Sequence, residues 1–339
     1  LIIILIFVFM REALFLKQNV ERWKTYERPV SDPDLMAERF VALTDDLAYA
    51  KTFYPGSKTV KYLNNLAADI HLAIYKNRKE KKNRFLEFWK TDLPLVLARN
   101  RKALLYAFLF FMTFVLMGVL SAKYDDSFIR LILGDGYVNM TNENIEKGDP
   151  FGVYKSMDPG YMFVRIALNN IYVSFMVFVQ GFFLGIGTVY GLFRNGVMLG
   201  AFEYYFFKQG LGMQSILVVF IHGTLEISAI VIAGAAGIIL GNSILFPGTY
   251  SRGHSMRSGA MDGIKIMVGL VPVFIVAAFF EGYVTRHTGM PLWLSVSILS
   301  LSAAFIIWYF VIYPYIVLKK YNEYNLAAQT DQGLWREGN

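Results

Sequence analysis

The segment Ile216–Leu240, ILVVFIHGTLEISAIVIAGAAGIIL, decides the fold. It is an apolar run long enough to cross a bilayer as a helix. It carries His222 and Glu226 four residues apart, which places both on one face of that helix. Ionisable groups at membrane depth are costly and face protein or water, with a partner near by. A spanning helix with a polar pair on one side is therefore the first expectation, and the search for function starts there.

The rest of the chain agrees with a membrane class. Of 339 residues, 55% are hydrophobic and 16% aromatic, with mean hydropathy +0.40. These values point to an integral membrane protein. There is no cysteine, which excludes structural disulfides, thiolate nucleophiles and zinc–thiolate sites. The formal net charge is +7. In a membrane protein such an excess reflects cytoplasmic lysine and arginine, so no nucleic-acid partner is expected.

The expected fold class is all-α: a polytopic helical membrane protein with about six spans and an N-terminal cytoplasmic helical domain over residues 10–100. Met10 is the expected natural start. Leu1–Phe9 is all apolar, lacks the charged start of a signal peptide and is too short to span; it is read as an artefact outside the functional argument. Helices are expected over Glu12–Tyr26 and Asp34–Phe53, the latter opened by Ser31-Asp32-Pro33-Asp34. Tyr54-Pro55-Gly56-Ser57 ends that helix, and another follows from Lys58 towards Asn83. Lys76–Arg84 is strongly basic. Phe85–Ala98 is amphipathic and is placed at the cytoplasmic membrane surface, near anionic head groups; a solvated basic face is the plain alternative for the stretch before it.

Spans are expected near residues 104–120, 163–190, 196–207, 216–240, 264–280 and 292–317, with an external segment 121–160 and a cytoplasmic tail 321–339. Residues 76–102 hold ten basic and three acidic side chains, against four basic and seven acidic in 121–160. That asymmetry sets the N-terminus inside and 121–160 outside. With six spans both termini are cytoplasmic, and Arg194, Arg252, Arg257, Lys319 and Lys320 fall on the same side. The 196–207 span is short and polar, so a re-entrant pair of half-helices stands as the alternative. Gly181/Gly185, Gly187/Gly191, Gly196/Gly200 and Gly237/Gly241 are small-xxx-small pairs that let helices approach closely in lipid. They are expected to pack helices within one subunit or to build a homodimer interface.

Three chemical roles fit His222 and Glu226. They form a structural polar network with Glu203 or Arg194, or relay protons or hold an ion, or supply two ligands to an intramembrane metal hydrolase. The hydrolase needs a third ligand and a general base, and no His-Glu-x-x-His sequence is present. Glu203 is expected to pair with Arg194 or Lys208. The glycine-, serine- and arginine-rich loop Phe246–Asp262 lacks a P-loop ending. Gly134-Asp135-Gly136 and Asn142–Asp149 lack EF-hand spacing. Gly-x-Ser-x-Gly is absent. No catalytic residue, cofactor or metal is assigned.

Trp23, the Asp45-Asp46-Leu47 stretch, and His222-Gly223-Thr224-Leu225-Glu226-Ile227 running into Ala233-Gly234-Ala235-Ala236-Gly237 together resemble the stage II sporulation protein M family of bacterial membrane proteins. Met10–Phe15 looks like the start of its non-sporulating relatives, and the resemblance covers most of residues 10–320. It implies His222, Gly223 and Glu226 as signature positions without a proven chemical role. It implies a scaffold that anchors cell-wall hydrolases, or, in relatives, an association with RDD-type membrane proteins and MoxR-type ATPases. The longer N-terminal domain and the external segment depart from the namesake.

The expected function is thus a non-enzymatic membrane scaffold or complex subunit in bacterial envelope homeostasis, a homodimer in the inner membrane. The alternative is a transporter or channel with a His222/Glu226/Glu203 polar path.

Overall fold

The computed structural model describes residues 2–28, 30, 32–76, 84–155, 158–287 and 289–324. It forms two compact units, divided between Arg84 and Phe85. Every regular element among the described residues is helical.

The N-terminal unit is built from α1 (Ile2–Tyr26), α2 (Pro33–Phe53) and α3 (Lys58–Lys76). Asp32 caps α2 by accepting the Asp34 amide at 3.0 Å, and proline occupies the first turn, where its missing N–H costs nothing. The core is a set of apolar side chains at helical spacing: Trp23, Leu43, Leu47, Ala50, Leu63 and Ile70, all buried. Trp23 is fully buried, and its indole Nε1 donates to Asp46 at 2.7 Å. Helix α1 begins at Ile2, so the expected helix start after Met10 is corrected: the apolar residues before it propagate the same helix. The expected basic run over Lys76–Arg84 falls mostly on residues 77–83, outside the described residues, as does most of the tail at 325–339.

The second unit opens with α4 (Arg84–Glu87), a π turn at Phe88–Asp92 and α5 (Leu93–Arg99). Here the expected boundary near residue 100 is corrected. Leu93 to Ala98 are all buried, and Leu93, Val96 and Leu97 sit in the main apolar cluster with Ile266, Leu270 and Phe274. Leu93–Ala98 therefore packs inside the unit instead of lying on a surface, whereas Phe85 and Leu86 at the start of the stretch are exposed. Tyr309 and Tyr313 donate to the Trp89 and Lys90 carbonyls at 2.8 and 3.0 Å, tying the π turn to the chain's last described helical segment.

Then follow α6 (Arg101–Tyr124), α7 (Asp126–Leu133), α8 (Asp135–Glu146), a 3-10 turn at Gly152–Lys155, α9 (Pro159–Val179), α10 (Ile186–Lys208), α11 (Gly212–Leu245), α12 (Arg252–Phe279), a π turn at Phe280–Thr285 and α13 (Leu292–Ile307). Among the described residues, five segments are long and apolar enough to cross a membrane: Arg101–Tyr124, Pro159–Phe182, Gly212–Leu245, Arg252–Thr285 and Leu292–Tyr324. The chain is an all-α polytopic membrane protein. Helix α10 is also continuous, 23 residues or ~35 Å, so the reading of two re-entrant half-helices is set aside. The expected span 163–190 ends early, because Leu184 (φ 54°) and Gly185 (φ 82°) reverse the chain between α9 and α10. Glycine adopts such an angle freely; leucine does not.

Neighbouring directions follow from contacts. Gly196 meets Phe114 and Gly200 meets Val119, so α10 runs parallel to α6. Gly259 meets Ser243, while His222 meets Thr285, so α11 and α12 are antiparallel. Segment 121–160 is not an open loop. Ile129, Val138, Phe151 and Tyr154 bury with Tyr205, Phe206, Val218 and Val219, which makes it a folded layer on one end of the bundle.

Candidate functional site

Four elements converge beneath that layer. Helix α11 contributes His222 and Glu226, the π turn after α12 contributes Glu281 and Thr285, α9 contributes Asn170, and the 3-10 turn contributes Tyr154. The four-residue spacing does put His222 and Glu226 side by side, as the sequence indicated. His222 is 4% exposed, and Glu226 and Glu281 are partly buried. One ligand atom from each of the three lies within 4.8 Å of the others.

Each member is held. His222 Nδ1 is 3.0 Å from Thr285 Oγ1, and its Nε2 is 3.8 Å from Glu281 Oε2. The Tyr154 ring stands edge-on to the imidazole at 5.7 Å. Burial, and next the charge of Glu281, hold the Tyr154 phenol well above its ordinary pKa, so it stays neutral. Asn170 approaches Glu226 from α9, and its Nδ2 has no hydrogen-bond partner of good geometry. Ser174 Oγ, one turn further along, is also buried and unpartnered among the described residues.

The remaining expected members lie elsewhere. Glu203 accepts from Ser215 at 3.2 Å, and its Oε2 is buried without a partner among the described residues. The pairing expected with Arg194 does not form: Arg194 is exposed and lies nine residues, ~14 Å, away along α10. Lys208 pairs instead with Asp126 at 2.6 Å. Gly223 has space around it, since an added Cβ would meet only Ile227 at 3.6 Å and Val219 at 4.0 Å. The packing glycines are used inside the subunit. Gly181 lies against Gly237, Gly185 against Gly241, and Gly196 and Gly200 against α6.

Sequence reasoning missed Glu281, Thr285, Asn170 and Tyr154. Glu281 sits one residue beyond the expected end of its span, where a carboxylate looks like an ordinary helix terminus. The signal available was a charge directly abutting the apolar Phe279-Phe280. What it meets is set by a 55-residue return of the chain (226 to 281) that no local pattern encodes.

The model of the family described as stage II sporulation protein M matches residues 107–286, more than half of the chain, and that stretch holds the whole cluster. The chain belongs to the stage II sporulation protein M family. A second match, to a domain of unknown function (DUF8413), covers residues 13–76, the three-helix N-terminal unit. No curated protein matches the chain, nor does any solved structure. The stage II sporulation protein M region begins inside α6 and ends directly after the π turn, at Arg286. The longer N-terminal domain noted in the sequence is thus a separate unit with its own family match.

Proposed function

We propose that this chain is a non-enzymatic membrane scaffold or complex subunit in bacterial envelope homeostasis. It sits in the inner membrane with both termini cytoplasmic, and it works as a homodimer or beside another membrane subunit. Membership of the family supports this reading, and the basic residues around Arg99, Arg101 and Lys102 support the orientation.

The observation that carries it is an apolar groove of about 560 Å³ between α6, α11 and α13. Leu104, Phe108, Ile227, Val231, Ile307 and Val311 line it. Phe108 and Val311 are exposed there. The groove faces away from His222: it takes Thr224, Ile227 and Ser228 from α11, the opposite side of that helix. Small-residue stripes, the commonest route to helix association in lipid, are already occupied within the subunit. Docking of a partner helix therefore falls to this groove. The partners proposed are a second copy, an RDD-type membrane protein, or an anchor of a MoxR-type ATPase or a cell-wall enzyme.

The test is site-specific photo-crosslinking from Phe108 and Val311 in native membranes. The expected product is an adduct to a second copy or to one membrane subunit. Adducts to lipid alone, together with a lone monomer in every mild detergent, would overturn the reading.

A further inference from the structure

His222 Nε2 and Glu281 Oε2 face each other across the cluster. The 3.0 Å contact of His222 Nδ1 with Thr285 Oγ1 admits either tautomer; the one with the proton on Nδ1 turns the Nε2 lone pair towards Glu281, the arrangement a bound ion would select. The 3.8 Å gap from Nε2 to Glu281 Oε2 is too long for a hydrogen bond. Two cis ligands on one tetrahedral ion, with bonds near ~2.1 Å, stand ~3.4 Å apart. The His222–Glu281 pair at 3.8 Å is close to that separation, and the three ligand atoms, within 4.8 Å of one another, would draw together around an ion. A ligating histidine whose second nitrogen donates to an oxygen is the usual arrangement around a metal, because that bond fixes the tautomer.

Charge leads to the same place. Glu226 and Glu281 each bring a carboxylate within 4.8 Å of the other and of His222. Buried carboxylates of like sign need a counter-charge or a proton. A separate observation comes from α9. Asn170 is 6% exposed and points at the Glu226 carboxyl, yet its Nδ2 lacks a good hydrogen bond. It is placed to orient that carboxylate once the carboxylate swings onto an ion.

We propose that His222, Glu226 and Glu281 bind one divalent transition-metal ion in the bundle, with Thr285 and Asn170 orienting the ligands. One imidazole and two carboxylates suit Zn²⁺, Mn²⁺ or Fe²⁺. The ion cross-links α11 to the end of α12, beneath the layer formed by segment 121–160. No reaction is assigned to it, and the proposal stands apart from the scaffold reading: either can fail without the other.

The test uses the full chain, purified in detergent through a histidine-free tag. It is stripped with chelator, then incubated with Zn²⁺, Mn²⁺, Fe²⁺ or Co²⁺ and desalted. Elemental analysis of the wild type is expected to give about one equivalent of at least one of these. Glu281→Gln and Glu226→Gln, both close in shape, are expected to lower it at least tenfold. Glu203→Gln, a buried carboxylate outside the cage, is expected to keep the wild-type value. Thr285→Val is expected to weaken affinity roughly 10–100-fold and to alter the visible spectrum of the cobalt form. A wild type below about 0.1 equivalent with all four metals overturns the proposal. So does binding in Glu281→Gln equal to the wild type, or a Thr285→Val protein with unchanged affinity and spectrum.

Discussion

Gly181 and Gly237 meet backbone to backbone, so that a methyl group on Gly181 would stand inside the Gly237 carbonyl. At the chain reversal that follows, Gly185 comes against Gly241 in the same way. Helices α9 and α11 are parallel along this seam, and it fixes the height at which Asn170 looks across at Glu226.

The seam makes a sharp prediction. Gly181→Ala forces two backbones apart and is expected to destabilise the membrane unit by ~1–3 kcal/mol. Gly253→Ala, in the first turn of α12 with nothing within 4 Å, is expected to be neutral or to stabilise by up to ~1 kcal/mol. Thermal denaturation of both variants in one detergent checks the pair. Equal melting temperatures would show that the seam is not under steric control.

In the N-terminal unit, Asp46 accepts from both Arg22 at 2.6 Å and Trp23 Nε1 at 2.7 Å. Asp46→Ala leaves the indole N–H buried and unpaired, at a cost of ~1–3 kcal/mol. Trp23→Ala removes the centre of that core, at a cost of ~3–5 kcal/mol. Hydrogen exchange of the full-length protein should show faster exchange over residues 13–76 in both variants, with the larger change in Trp23→Ala. The reverse ranking would contradict the packing described.

Tyr62 donates to Glu27 at 2.8 Å. Burial first, and then that hydrogen bond, push its phenol up to about 12 from a usual 10.0. The folded pKa lies above the unfolded one, so the contribution to stability is complete below pH ~10 and is lost as pH rises through ~12. Difference absorbance at 295 nm between wild type and Tyr62→Phe should show one tyrosinate step centred near pH 12. A step near pH 10 would mean that Tyr62 is solvated.

The layer at residues 121–160 is pinned to α10. Phe206 is 1% exposed and stacks on Phe151 at 5.2 Å, and Tyr205 donates to Asn142 at 2.6 Å. Phe206→Ala is expected to cost ~3–5 kcal/mol and, by loosening the backbone around the already exposed Lys147 and Lys155, to speed trypsin cleavage there. Proteoliposomes sealed with this layer outward give the readout. Wild-type resistance in the variant would show that the layer stands without its aromatic anchor.

Much of this architecture was legible in the chain. The run Ile216–Leu240 announces a buried spanning helix, and Tyr54-Pro55-Gly56-Ser57 marks a turn because proline and glycine there break a helical pattern. The small-residue pairs declared close packing, although not which helix each would meet. The second half of Phe85–Ala98 was misread because an apolar face looks the same whether it meets lipid head groups or other helices, and the burial of Leu93–Ala98 settles that half. The polar pair His222 and Glu226 was visible from spacing alone. Its partners were not, because they arrive on three other elements.

The π turn at Phe280–Thr285 spends an extra residue in each turn relative to a regular helix. That surplus sets the register in which Glu281 and Thr285 meet His222. Excising Gly282 would let the segment relax into ordinary winding and gain better-aligned backbone bonds, while rotating both side chains off their mark. Local regularity and the polar knot thus oppose one another here, and a tidier helix would trade the contacts of His222 for better backbone bonds.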